Sequence, residues 1–201
     1  MFSKKVVLII FFIFLFISPK QQFNYILAES DPGSYVMEMT TNAINTLTNK
    51  STSQNEKEVQ FGELFDKNFD VSSISRFVLG KYWKQASLDQ KKKFIKAFRN
   101  YVVKTYSSRF NEYSGEQLTL LNFENESNPK IFVVHTGLEI EDASMIMIDW
   151  RIGKKKDRFV ILDIIIEGIS LAVTQRSEFV SVIDQNEGSI DKLISLLKEK
   201  T

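Results

Sequence analysis

Asp163 and Glu167 are the first residues to weigh for chemistry, because paired carboxylates are the usual means of general acid–base work. They flank three isoleucines in the stretch RFVILDIIIEGI, residues 158–169. On a β-strand two residues four apart share a face, about 13 Å from each other. That is wider than the carboxylate separations used in glycoside hydrolysis. Pairing with Arg151 and Arg176 is the simpler expectation for them. His135 is the only histidine, it falls inside an alternating run, and there is no cysteine. One His without Cys does not make the usual zinc set, so a structural role is expected. Thiol catalysis and disulfides are excluded. No serine or lysine sits in a nucleophile motif, and no glycine-rich phosphate loop occurs. Asp163 alone stays open as the acid of an isomerase built on an α+β cone.

The elements that must position these groups follow from periodicity. In residues 158–169 the β-branched residues dominate, which favours a strand over a helix. Simple alternation puts Val160, Leu162, Ile164 and Ile166 on one face, and Phe159, Ile161 and Ile165 on the other with the two acids. So apolar a strand needs cover on one side and at least partial cover on the other. The cover can come from helices of the chain, from more protein, or from an apolar ligand.

Before this strand, residues 34–49 and 58–65 carry helical spacing, and residues 49–56 read as a loop. Asp70 caps a third helix over 70–79, and Gly80 stops it. Ser87-Leu88-Asp89-Gln90 is a capping box opening a long helix to about residue 113. Its stripe is Phe94, Ala97, Phe98, Tyr101, Val102, Tyr106, Phe110 and Tyr113. The Lys91–Lys93, Lys96 and Arg99 run lies mostly off that stripe and reads as a solvated face. After Gly115 the period changes to two. Strands are expected over 117–123, 131–140 and 144–152, with Ile146, Ile148, Trp150 and Ile152 on one face of the last. A hairpin loop at 153–157 leads into the strand over 158–169. Trp83 and Trp150 are expected as core or rim anchors. Helical spacing returns over 170–184, and a last helix opens at Gly188-Ser189. Helices, then four strands with short connections, then helices predict an α+β fold. It would be one antiparallel sheet of about four strands with the helices gathered on a face.

The chain has 201 residues, enough for a single domain with a real core, and its 17 Phe give that core volume. Basic and acidic residues nearly balance, at 26 and 25, which gives no pull toward nucleic acid. Lys4 and Lys5 precede an unbroken apolar run over residues 6–17, Pro19 breaks it, and Ala28 offers a cleavage point before Glu29. A run this short falls below the roughly twenty residues of a membrane span. The order is that of a cleaved secretory signal peptide over 1–28, ahead of one domain over 29–201.

Four stretches together resemble the MlaC family, also described as toluene-tolerance auxiliary proteins. They are FDVSSISRFVLGKYW from Phe69 to Trp83; Ala86-Ser87-Leu88-Asp89-Gln90 with Phe94, Ala97-Phe98-Arg99 and Thr105-Tyr106; Asp149-Trp150-Arg151; and DIIIEGISL from Asp163 to Leu171. The likeness runs over about 34–197. The family usually has Trp at Phe159, Asn-Tyr at Thr174-Gln175 and Ala at Ser75. The resemblance implies a soluble, monomeric periplasmic carrier of glycerophospholipid, with no cofactor beyond its cargo. Such carriers shuttle lipid between an outer-membrane lipoprotein–porin complex and an inner-membrane ABC transporter with an MCE-domain subunit. That traffic maintains outer-membrane lipid asymmetry. The resemblance also implies a twisted antiparallel sheet packed against N-terminal and C-terminal helices with an apolar cavity between, where the acyl chains would lie, with the head group in solvent. Combined with the faces above, it places Phe98, Val102 and Tyr106, then Ile146, Ile148 and Trp150, on the wall. Val160, Leu162, Ile164 and Ile166 join them from the central strand, and Leu79 and Val173 from the flanking motifs. A carrier of another hydrophobe, such as a hopanoid or quinone, and an interaction module without a cavity are the competing readings beside the isomerase.

Overall fold

The computed structural model describes residues 31–49, 51–112, 115–139 and 145–201. Residues 1–28, expected as a signal peptide, lie outside them. Three helices lead: α1 Pro32–Leu47, α2 Gln54–Asn68 and α3 Val71–Val78. A 3₁₀ turn, Gly80–Trp83, precedes α4 Leu88–Ser107, and a second, Ser108–Glu112, follows it. The strands are β1 Gln117–Asn125, β2 Ile131–Glu139, β3 Met145–Lys155, β4 Arg158–Ile166 and the short β5 Ile169–Ser170. Helices α5 Leu171–Gln185 and α6 Ile190–Glu199 close the chain. The five strands form one antiparallel meander in the order β1-β2-β3-β4-β5. This is the α+β architecture expected, with a two-residue strand added at the edge.

Local chemistry sets most of the boundaries. Ser87 Oγ accepts from Gln90 N at 3.1 Å, and Gln90 Oε1 accepts from Ser87 N at 3.0 Å, which completes the box opening α4. The same S-x-x-E signal at Ser53 and Glu56 opens α2 at Gln54, so the end of the stretch read as a loop, residues 54–56, already belongs to the helix. Helix α4 ends at Ser107, short of the expected 113, because its last part tightens into the 3₁₀ turn. Gly80, with φ of +58°, ends α3. Asp70 accepts from Ser73 N at 3.2 Å and pairs with Lys155 Nζ at 2.7 Å, while its own N–H donates to Ile161 O. The α2–α3 junction is thereby fastened to β4.

The largest departure from simple alternation lies in β4. Ile161 stands opposite Ile152 and Asp163 opposite Arg151, so Leu162 is an extra residue against one partner. Such a bulge reverses the alternation beyond it. Phe159 and Ile161 therefore share the core with Ile164, instead of Val160, Leu162, Ile164 and Ile166 sharing one face. Gly153 makes room for the bulge: a Cβ there would sit 3.0 Å from Leu162 Cδ1. Glu167 and Gly168, at φ of +50° and +77°, form the tight turn that ends the strand before 169.

Two cores result. One joins α3, α4, α5 and α6 around Phe94, Phe98, Phe179 and Ile183. The other joins α1 to the sheet around Val36, Val134, Trp150, Ile152, Phe159 and Ile161. Phe69 packs against both.

Candidate functional site

Between the two cores lies a cavity of about 430 Å³, within the range of small-molecule sites. Met39, Ala43 and Ile44 of α1 and Phe61, Leu64 and Phe65 of α2 line one side. Ile74 and Val78 of α3 with Phe98, Val102 and Tyr106 of α4 line another, continued by Arg109 and Phe110 of the turn after α4. The sheet contributes Leu118, Leu138, Trp150, Leu162, Asp163 and Ile164, and α5 contributes Leu171, Ala172 and Gln175.

Most polar groups on this wall are turned into the protein. Thr40 Oγ donates to Val36 O at 2.8 Å inside its own helix. Asn68 donates to Leu64 O and accepts from the Tyr35 hydroxyl, whose pKa burial pushes up to about 12. Trp150 Nε1 donates to Thr136 Oγ1 at 3.0 Å, and that hydroxyl donates onward to Ile148 O at 2.8 Å. The indole ring can therefore face the cavity with no polar demand left over. Tyr106, Arg109 and Gln175 are polar wall groups at the end of α4 and the start of α5, and Tyr106 is 37% exposed.

Asp163 is held by donors, not by a cation. Its Oδ2 accepts from Ser170 Oγ at 2.5 Å, and its Oδ1 from Ile164 N at 2.9 Å and Ala172 N at 3.0 Å. It thus ties the bulged strand to the first turn of α5. Arg151 instead makes a fork to Glu126, Nε to Oε1 at 2.6 Å and Nη2 to Oε2 at 2.8 Å, which holds the Glu126 carboxyl below its usual range. Arg176 stands over the Phe77 ring at 5.1 Å. Glu167 accepts from Met147 N, so the two acids serve separate backbone contacts. His135 Nδ1 lies 2.8 Å from Asp149 Oδ1, in a cross-strand ladder beside Glu124. Among the described residues no cluster of His, Asp and Glu is arranged to hold a metal ion. Among them, too, no helix is long and apolar enough to cross a membrane.

Six of the twelve residues expected on the wall line this cavity: Phe98, Val102, Tyr106, Trp150, Leu162 and Ile164. Leu79 is wholly buried in the helical core instead. Val160 is buried opposite Gly153, and Ile148 packs in the sheet core. Ile146 stands opposite Leu138, which takes the wall position. Ile166, at the end of β4, and Val173, on the side of α5 away from the wall residues Leu171, Ala172 and Gln175, are exposed at 36% and 51%. The contributions of α1 and α2 escaped the sequence reading. Met39, Ala43 and Ile44 were visible as a helical stripe, but nothing in that stripe separates a cavity from a core.

Fold and site together define the class: an α+β domain whose helices and antiparallel sheet enclose an apolar binding cavity. The chain belongs to the MlaC family, whose model, described as MlaC protein, matches residues 37–199. It is 25% identical over 127 residues to the intermembrane phospholipid transport system binding protein MlaC of Haemophilus influenzae. That match covers 61% of this chain and 58% of the relative's length. Its fold is also that of a phospholipid-binding protein from Ralstonia solanacearum, solved in complex with a phospholipid. The TM-score is 0.73 at 19% identity, covering 85% of this chain and 97% of that one.

Proposed function

We propose that this chain is a periplasmic phospholipid carrier that holds acyl chains in the cavity between its two cores. The observation that carries the reading is the dryness of the wall, where buried polar groups bond to protein and leave apolar surface facing inward. Exposing an acyl chain of roughly fifteen methylenes to water costs about 12 kcal/mol, at ~0.8 kcal/mol each. Unaided escape from a bilayer is correspondingly slow. A cavity about as apolar as the membrane makes exchange nearly neutral in free energy, and no catalytic group is required. The chain therefore acts by binding and release and not as an enzyme, and needs no cofactor. Its family supports partners at both membranes: an outer-membrane lipoprotein–porin complex and an inner-membrane ABC transporter with an MCE-domain subunit. Residues 1–28 serve as the export signal and are removed.

Mass spectrometry of lipid copurifying with the protein tests this reading. Diacyl glycerophospholipid near one per chain is expected, retained through gel filtration. A hopanoid or quinone in its place, or no lipid and no uptake from phospholipid vesicles, would overturn it.

A further inference from the structure

The polar groups at the end of α4 and the start of α5 form a mixed-charge arrangement. Gln175, on the cavity wall, donates through Nε2 to Glu178 Oε2 at 2.9 Å, one turn along α5. Arg109 lines the cavity from the turn after α4. The Tyr106 hydroxyl lies within the field of both: burial raises its pKa most, Tyr101 and Glu178 raise it further, and Arg109 lowers it. Gln175 thus links the Glu178 carboxylate to a wall that also carries Tyr106 and the Arg109 guanidinium, and both charged side chains are exposed. The neighbouring cation, Arg176, is turned instead toward Phe77.

We propose that this edge of the cavity reads the lipid head group and favours zwitterionic amine head groups over anionic ones, Arg109 taking the phosphate and Glu178 the ammonium. The inference rests on the phospholipid-carrier reading. A guanidinium carries five N–H donors in a planar fork suited to phosphate, so it can hold a phosphate beside another partner. An amine head group then presents its ammonium to the carboxylate. A glycerol head group presents neutral hydroxyls there, so its phosphate still meets Arg109 but the Glu178 carboxylate gains no cation to pair with. Exposed charge pairs are weak, so the preference is roughly two- to fivefold. It also falls as salt rises.

Delipidated protein is loaded from vesicles of equimolar phosphatidylethanolamine and phosphatidylglycerol with identical acyl chains, and the bound lipid is counted by mass spectrometry. The expected ratio favours phosphatidylethanolamine by roughly two- to fivefold at low salt. Glu178→Gln brings it close to one, and Arg109→Gln lowers the retention of both lipids. Both side chains are exposed, so unchanged melting temperatures are expected for the variants. A ratio of one in the unaltered protein, or a preference that survives Glu178→Gln, would overturn the inference. Uptake without preference defeats this inference alone, whereas no uptake of either lipid defeats the carrier reading itself.

Discussion

Asp163→Ala lowers the unfolding free energy by about 3 kcal/mol, because hydrogen bonds to a charged acceptor contribute roughly 1.5–3 kcal/mol each and three converge here, partly solvated. The substitution leaves the amides of Ile164 and Ala172 without their acceptor at the junction of a bulged strand and a helix start. For a domain of this size that corresponds to a fall in Tm of roughly 6–12 °C. Asp163→Asn keeps the shape and some acceptor capacity, so its loss is smaller. Urea unfolding of the three proteins side by side measures both steps. A loss below about 1 kcal/mol for alanine would show that the carboxylate does not hold α5 to the sheet. Loss of a chemical turnover in Asp163→Asn at unchanged stability would point to the isomerase reading instead.

Val102→Trp separates cavity from core. Val102 is half-buried on the face of α4 that lines the cavity. In a filled core the added indole overpacks its surroundings and costs about 1–3 kcal/mol. Here it occupies volume that the lipid would use. Displacing only two methylenes forfeits ~1.6 kcal/mol of apolar burial, slightly more than a factor of ten in affinity. The expected result is a tenfold or greater loss of copurified phospholipid with Tm within a few degrees of the parent. A folded variant with undiminished lipid would take Val102 off the lipid-binding wall. An unfolded one would make its surroundings plain core.

These two positions also mark how far the sequence is legible. Helix starts are spelled by local chemistry: Ser87 with Gln90 and Ser53 with Glu56 are the same device, and each closes its own bonds wherever the fold places it. Strand order followed from short connections. The partner of Asp163 did not, because Ser170 and the Ala172 amide reach it only after the chain reverses at Glu167-Gly168. The bulge at Leu162 has no marker in a stretch apolar on both sides of Asp163, and its one trace is Gly153 on the neighbouring strand. Wall and core are made of the same residue types. Phe94 and Phe98 are one turn apart on one stripe, yet only Phe98 reaches the cavity, because what stands opposite a side chain is set by two elements at once.

Trp150 offers the most direct test that acyl chains enter this cavity, since its ring lies on the wall and the chain has only one other tryptophan, Trp83. In a Trp83→Phe background, delipidated protein is loaded with phosphatidylethanolamine brominated on its acyl chains, and Trp150 fluorescence is compared with that of the same lipid unbrominated. Bromine quenches indole only at close range. Acyl chains seated between the helical core and the sheet quench most of the Trp150 emission on loading, and Val102→Trp, carried into the same background, diminishes the amount of brominated lipid retained. Stoichiometric loading of brominated lipid with Trp150 emission unchanged would place the chains elsewhere on the protein and contradict the account.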